Sequence, residues 1–326
     1  MNILKKVSLT ALGTSLIATS ALAGTMDVTG SAGITLGNQS NHTNSNSFSM
    51  TDEITFTGSG ELDNGLTVTV SMQLDNNASA ASGNFMDNRS VKIETADMGT
   101  LTFYGHGGDS ALSAVDDVMP TAYGESWDVI GLAAASVTAG QTAKFGSISG
   151  NTGNNSFMYN MPEMVDGLGV NISYNPSNSS EPNGSTSFAV AYTGVEGLTV
   201  GYAQDESGAS TANEFETAYA KYAFGSFTVG VQSSENDEDG GSSNDDELEI
   251  FGITYQVSDD LTIGYTQSEY NAGDKTVDQE AANLSFSYTS GGMTIAAAMV
   301  EMDNTGGSTA ATDDIEGYEI DVSFAF

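Results

Sequence analysis

A long acidic segment, residues 108–154, holds the side chains best suited to binding or steering ions. Its carboxylates are Asp109, Asp116, Asp117, Glu125 and Asp128. Loops longer than about 12–15 residues are usually functional or disordered, and an arc of carboxylates attracts cations. We therefore expect a loop that sets a local negative field. The alternative is a loop that stays in solvent, where its acids are merely hydrated.

The elements around this segment are predicted to be strands. In residues 314–326, Tyr318, Ile320, Val322, Phe324 and Phe326 share one face and polar residues the other, because side chains alternate along a strand. The pattern recurs in sixteen candidate strands, joined alternately by short and long connections. A sandwich or solenoid would not require that alternation. The sequence therefore predicts an all-β, transmembrane antiparallel barrel with alternately lipid-facing and lumen-facing side chains.

The first residues predict export. Lys5 and Lys6 precede an apolar stretch that ends in Ala21-Leu22-Ala23, the arrangement of a secretory signal peptide. We therefore divide the chain into a signal peptide, 1–23, and one barrel domain, 24–326. The formal net charge of −36 excludes nucleic acid as a partner and favours cations. The predicted location is the outer membrane of a Gram-negative bacterium, after cleavage near Ala23.

Basic side chains that could face the acidic segment are few. On the predicted strand 88–96, Lys92 and Glu94 share the inward face. Arg89 has the parity of the outward face and lies near the outer end of the strand. Lys92 is the best candidate for a cation on the pore wall; equally, it could be a rim lysine paired with Glu94. Arg89, Lys92 and Glu94 are our predicted wall residues from this strand.

Two histidines and no cysteines make a zinc site improbable. On the predicted strand 100–107, Tyr104 and His106 share the inward face and complete the predicted pore wall. Serines are abundant, but nothing in the sequence brings one to a histidine and a third orienting group. We predict that the chain is not an enzyme.

One acidic run resembles the front of a calcium-binding loop. It reads Glu235-Asn-Asp-Glu-Asp-Gly240, with Glu at the first position and Asp246 at the twelfth, so it departs from the usual pattern at both. We predict no cofactor and interpret residues 235–249 as a hydrated external loop. Weak calcium bridging there remains a hypothesis.

The chain resembles the general porins of Gram-negative outer membranes over residues 24–326. The resemblance rests on the signal peptide, the sixteen strands, the terminal Phe326 and the long segment after the fifth strand. It implies a homotrimer of water-filled channels, each narrowed by its third external loop, here residues 108–154. It also implies that the barrel-assembly machinery recognises Phe326. The chain departs from the family in having one arginine instead of a cluster across the constriction.

These observations predict an outer-membrane channel through which small hydrophilic solutes and ions diffuse, with a preference for cations. Its partners would be those solutes, outer-membrane lipid, the assembly machinery and further copies of itself. Two alternatives stay open. One is a substrate-specific channel for a sugar or a divalent cation, and the other is a secreted acidic calcium-binding β-protein or adhesin.

Overall fold

The computed structural model describes residues 24–40, 46–75, 86–126, 148, 150, 153–176, 183–208, 213–238, 245–307, 309 and 314–326. Within them, sixteen antiparallel strands form a closed barrel in which each strand pairs with its sequence neighbours and the first pairs with the last. The predicted fold class is confirmed. The predicted signal peptide lies outside the described residues. No helix in the described ranges is long and apolar enough to span a membrane.

The strands have the bounds β1 Thr25–Gln39, β2 Asn46–Glu61, β3 Thr67–Asp75, β4 Met86–Thr95, β5 Gly99–His106, β6 Ser156–Asn160, β7 Leu168–Asn175, β8 Ser185–Val195, β9 Leu198–Glu206, β10 Asn213–Phe224, β11 Phe227–Glu238, β12 Asp246–Ser258, β13 Leu261–Ala272, β14 Gln279–Ser290, β15 Met293–Asp303 and β16 Ile315–Ala325. Short connections occur at one end of the barrel and long ones at the other. We call these the short-turn end and the long-loop end. Asp63-Asn64-Gly65 form the turn between β2 and β3, with Gly65 at φ 81°, a conformation that glycine adopts without steric cost.

The outer surface is apolar around the middle and short-turn end of the strands. Phe224, Phe227 and Tyr255 lie together on β10, β11 and β12, with ring centroids 5.6 and 4.6 Å apart. Aromatic side chains of this kind form girdles at the membrane interfaces of β-barrels. Tyr219 does not belong to this group, because its parity turns it into the lumen, where it is buried.

Two polar stretches of the sequence are largely strand. Residues 37–50, rich in Asn and Ser, are strand to Gln39 and again from Asn46, because Phe48 and Met50 continue the outward alternation of β2. The predicted acidic loop 235–249 is also largely strand, with Glu235 paired opposite Glu247. In this part of β12 the usual alternation of apolar outward and polar inward side chains is reversed. Glu247 and Glu249 are exposed on the outer face, whereas Leu248 and Ile250 are buried on the inner face.

Candidate functional site

The first part of the long segment after β5, residues 108–126, folds into the barrel and runs along its inner wall. Near its start, the backbone N–H groups of Ala111 and Leu112 donate to Ser173 Oγ on β7 and Ser187 Oγ on β8, each at 2.9 Å. Farther along, its carbonyl and hydroxyl groups bond to β11, β13, β14 and β16 through Gln232, Ser268, Asn283 and Glu319. The predicted inward fold is confirmed for residues 108–126, which we call the constriction loop.

Three inward glycines on adjacent strands let the loop approach the wall. A Cβ added to Gly230 would lie 2.7 Å from Pro120 Cδ, and one on Gly252 would lie 2.6 Å from Pro120 O. One on Gly264 would lie 2.7 Å from Ala122 N. Glycine inside a strand often marks such a close backbone approach. These glycines are the sequence signal for where the loop docks.

The underside of the loop is apolar. Leu112 is fully buried in a cluster with Met158, Ala189 and Ala203, and Met119 packs in a larger cluster. That larger cluster comprises Met119, Ile148, Tyr219, Leu248, Ile250, Tyr270, Ala272, Ala281, Ala298, Val300, Met302 and Ile315. On the side that the loop covers, the inward side chains are therefore shielded from water, because they pack against the loop or against one another.

The predicted loop carboxylates fall into two groups. Asp109 and Asp117 are exposed to the lumen, whereas Asp116 and Glu125 are only 5% and 8% exposed. Asp128 lies outside the described residues. Burial, with smaller contributions from Asp117 and Asp109, raises the pKa of Asp116 to about 7. Asp109 and Asp117 are therefore the loop acids placed to act on a passing ion.

The inner wall of the barrel also carries acids, on β2 and on β16, and the loop contacts β16 through Glu319. Asn88 Nδ2 donates to Gln73 Oε1 at 2.7 Å, and Gln73 Nε2 donates to Glu53 Oε2 at 2.6 Å, which fixes Glu53 on the inward face of β2. On β16, Asp321 Oδ2 accepts a 3.0 Å hydrogen bond from Thr35. Sequence reasoning did not select Glu53 or Asp321 as site residues, although strand parity could have found both.

The predicted wall cations do not face the constriction loop. Lys92 lies three residues from the end of β4 at the short-turn end, where its Nζ is 3.2 Å from Glu94 Oε1. Arg89 pairs opposite Met72 and lies on the outward face; its guanidinium group reaches the carbonyl of Gly105, where a β-bulge shifts the register. The inclusion of Arg89 in the pore wall is therefore wrong, because its parity and its pairing with the outward-facing Met72 place it outside.

Tyr104 and His106 lie near the start of the constriction loop. Tyr104 packs against the Leu112 cluster, whereas His106 pairs opposite Arg89 at the end of β5. Tyr104 thus supports the base of the loop. In the part of the chain that the structure describes, no cluster of three or more His, Asp or Glu could hold a metal ion. The weak calcium hypothesis falls partly on Asp239 and Gly240, which lie outside that part.

Sequence comparison decides the family. The family profile described as Gram-negative porin matches residues 8–308. The chain is a Gram-negative porin. No curated protein matches it significantly.

Solved porin structures share the fold of this porin. The anion-selective porin from Comamonas acidovorans is 15% identical, with a TM-score of 0.70 over 93% of this chain and 100% of that one. OmpT of Vibrio cholerae, in its trimer form, is 15% identical with a TM-score of 0.67 over the same shares. OmpF of Salmonella typhi, in complex with daunomycin, is 15% identical, with a TM-score of 0.65 over 93% of this chain and 98% of that one. At such identities the likeness shows the fold alone.

Proposed function

We propose that this porin is an outer-membrane channel for passive diffusion of small hydrophilic solutes and ions, with a preference for cations and no catalytic cycle. The observation that carries the proposal is the placement of acids on both the constriction loop and the barrel wall. Asp109 and Asp117 project from the loop. Glu53 lies on the inward face of β2, and Asp321 lies on β16, the strand that the loop contacts through Glu319. A passing anion meets like charge from both the loop and the wall.

Lys92, the predicted wall cation, does little to offset these acids. Lys92 is neutralised locally by Glu94 and lies toward the short-turn end. Exposed pairs of this kind are worth only about 0–1 kcal/mol and extend little field beyond themselves. The anion selectivity named for the Comamonas porin belongs to that protein; the side chains of this chain favour the opposite preference.

A homotrimer is the assembly that we propose. At the long-loop end, outward positions on β10 to β14 include Glu216, Glu235, Glu249, Glu269 and Glu280. On β1 and β2 the outward positions toward this end are instead apolar: Leu36 pairs opposite Phe48, and Ile34 opposite Met50. Phe48 is 76% exposed and Met50 is 64% exposed. Another subunit would cover these side chains.

Asp52 supports the same assembly face. It is exposed on the outward face of β2, between Met50 and Ile54 and opposite Ala32. Charged side chains facing lipid destabilise a membrane barrel. A neighbouring subunit with hydrogen-bond donors would remove that cost. The trimer form of Vibrio cholerae OmpT supports the proposal as an analogy of fold.

Export and assembly complete the proposal. Residues 1–23 would direct secretion and be removed near Ala23. Phe326 exchanges two 2.9 Å backbone hydrogen bonds with Gly30, and its ring would touch a Cβ placed there. The terminal aromatic therefore lies at the seam where the barrel closes, a place where the assembly machinery could act on it.

Swelling of proteoliposomes tests the diffusion function. Vesicles containing the folded porin are placed in isotonic solutions of neutral sugars of increasing size. We expect swelling rates that fall smoothly with sugar size and show no saturation. Saturable transport of one sugar would favour the substrate-specific alternative, and an absence of swelling would contradict the channel.

A further inference from the structure

A cavity of about 370 Å³ lies beneath the constriction loop, on the side that faces the short turns. The loop contributes residues 118–121 to it, and the wall contributes Gly197, Thr199, Lys221, Ala223, Thr228 and Thr254. At about 30 Å³ per water, the cavity has room for roughly a dozen waters or a small solute with its hydration.

Lys221 gives this cavity a positive charge. Its side chain is half-buried, its stem lies near Met119 and Pro120 around Gly230, and its Nζ is 5.9 Å from the centroid of the Tyr219 ring. Among the described residues, no carboxylate lies within 4.0 Å of this ammonium group, in contrast to Lys92 and Lys275. Lys221 therefore keeps its charge available to a solute.

Three hydroxyl groups surround the same space. Thr199 on β9 is directly opposite Lys221, and Thr228 on β11 is directly opposite Thr254 on β12. A lysine offers three N–H donors and each threonine one O–H donor. Together they form a set of donors that matches the oxygens of a carboxylate or a phosphate.

We propose that this cavity binds a small oxyanion, a carboxylate or phosphate group, on the short-turn side of the constriction. The inference rests on the proposed channel function. Because the acids at the loop repel anions, Lys221 creates a local energy minimum just past that barrier. Small organic acids and zwitterions thus gain a binding step in an otherwise cation-preferring pore.

Single-channel recording with inorganic phosphate tests the site. Phosphate is added to each side of the bilayer in turn, in dilute potassium chloride near neutral pH. We expect saturable reduction of the single-channel current from one side. A hydrogen-bonded charge is worth about 1.5–3 kcal/mol, so Lys221→Gln should raise the half-blocking phosphate concentration at least about tenfold. Lys221→Arg should retain block.

Lys275→Gln is the matched control. Lys275 is 3.3 Å from Asp274, beyond the end of β13 in a long loop, so its removal should leave phosphate block unchanged. Equal loss of block in Lys275→Gln, or unaltered block in Lys221→Gln, would overturn the site.

A second pair of variants tests the site even if Lys221→Gln fails to fold. Thr228→Val and Thr254→Val keep the charge and remove a donor each, and we expect each to raise the half-blocking concentration. Unchanged block in both would overturn the proposed donor set. If phosphate does not change the conductance of the wild-type protein, the proposed site is refuted and the channel is not. If the wild-type protein shows no conductance, the proposed channel is refuted.

Discussion

At the scale of single residues, exposure decides which acids of the constriction loop can act on ions. Asp109 and Asp117 face the lumen, whereas Asp116 and Glu125 are buried against the wall. The sequence could show that these four acids share a loop, but not which of them face water. That division depends on contacts with distant strands, such as the hydrogen bond from Gln232 to the carbonyl of Asp116.

Neutralising an exposed loop acid should weaken cation preference more than neutralising a buried one. A unit charge about 5 Å from an ion in water is worth about 0.8 kcal/mol before salt screening. We therefore expect Asp117→Asn to lower the potassium-to-chloride permeability ratio about twofold to fourfold, with a smaller change for Glu125→Gln. Reversal potentials under a salt gradient measure both. A larger effect from Glu125→Gln would contradict the assignment.

Asp116 should make the folded protein sensitive to pH between about 4 and 7. Its folded pKa is raised from 3.8 to about 7, so the native state binds more protons than the unfolded state in this window. The contribution of Asp116 to stability therefore falls as pH rises through the window. Thermal unfolding at pH 5 and pH 8 should show that wild type loses stability relative to Asp116→Asn at the higher pH. A constant difference would contradict the raised pKa.

At the scale of elements, the strands were predictable and the docking of the loop was not. Strand alternation predicted all sixteen strands, because each must bury one face in lipid or protein. It missed the acidic ends of β11 and β12 within residues 235–249, where the outward side chains change from apolar to charged beyond the apolar band. Arg89 has outward parity in the sequence and lies on the outward face in the structure, opposite Met72. The bulge at Gly105, which a two-residue period does not show, is what places His106 opposite Arg89.

Gly252→Val should displace the constriction loop. Its Cβ would lie 2.6 Å from Pro120 O, so the loop backbone would have to move. Overpacking of this kind costs about 1–3 kcal/mol, which a closed barrel should survive. We expect a larger single-channel conductance and weaker selectivity. In the matched control, Gly58→Val, the added Cβ has no atom within 4 Å; the same conductance change there would contradict loop displacement.

At the scale of the whole molecule, surface chemistry divides the barrel into two sides. The outer ends of β10 to β14 are acidic, whereas β1 and β2 expose Phe48 and Met50. The sequence contains both sets, but only the closed order of strands shows that the apolar side chains form one face beside β16. We assign that face to contact with another subunit.

Phe48→Arg should weaken that assembly. Central apolar anchors of interfaces cost about 2 kcal/mol or more when lost, so the oligomer band on unheated gels should dissociate at lower temperature. Gln267→Arg, an exposed outward position on β13, is the control and should leave the band unchanged. If both variants lower the dissociation temperature of the oligomer band, or if neither does, the assignment of the β1–β2 face is contradicted.

The reversal potential across a potassium chloride gradient tests the central claim most directly. We expect the dilute side to become positive, because acids on the constriction loop and the barrel wall admit potassium in preference to chloride. The potential should shrink as total salt rises, since screening lengths fall to about 10 Å at 0.1 M and 3 Å at 1 M. It should also shrink in the double variant Glu53→Gln with Asp321→Asn. A dilute side that becomes negative would contradict the account.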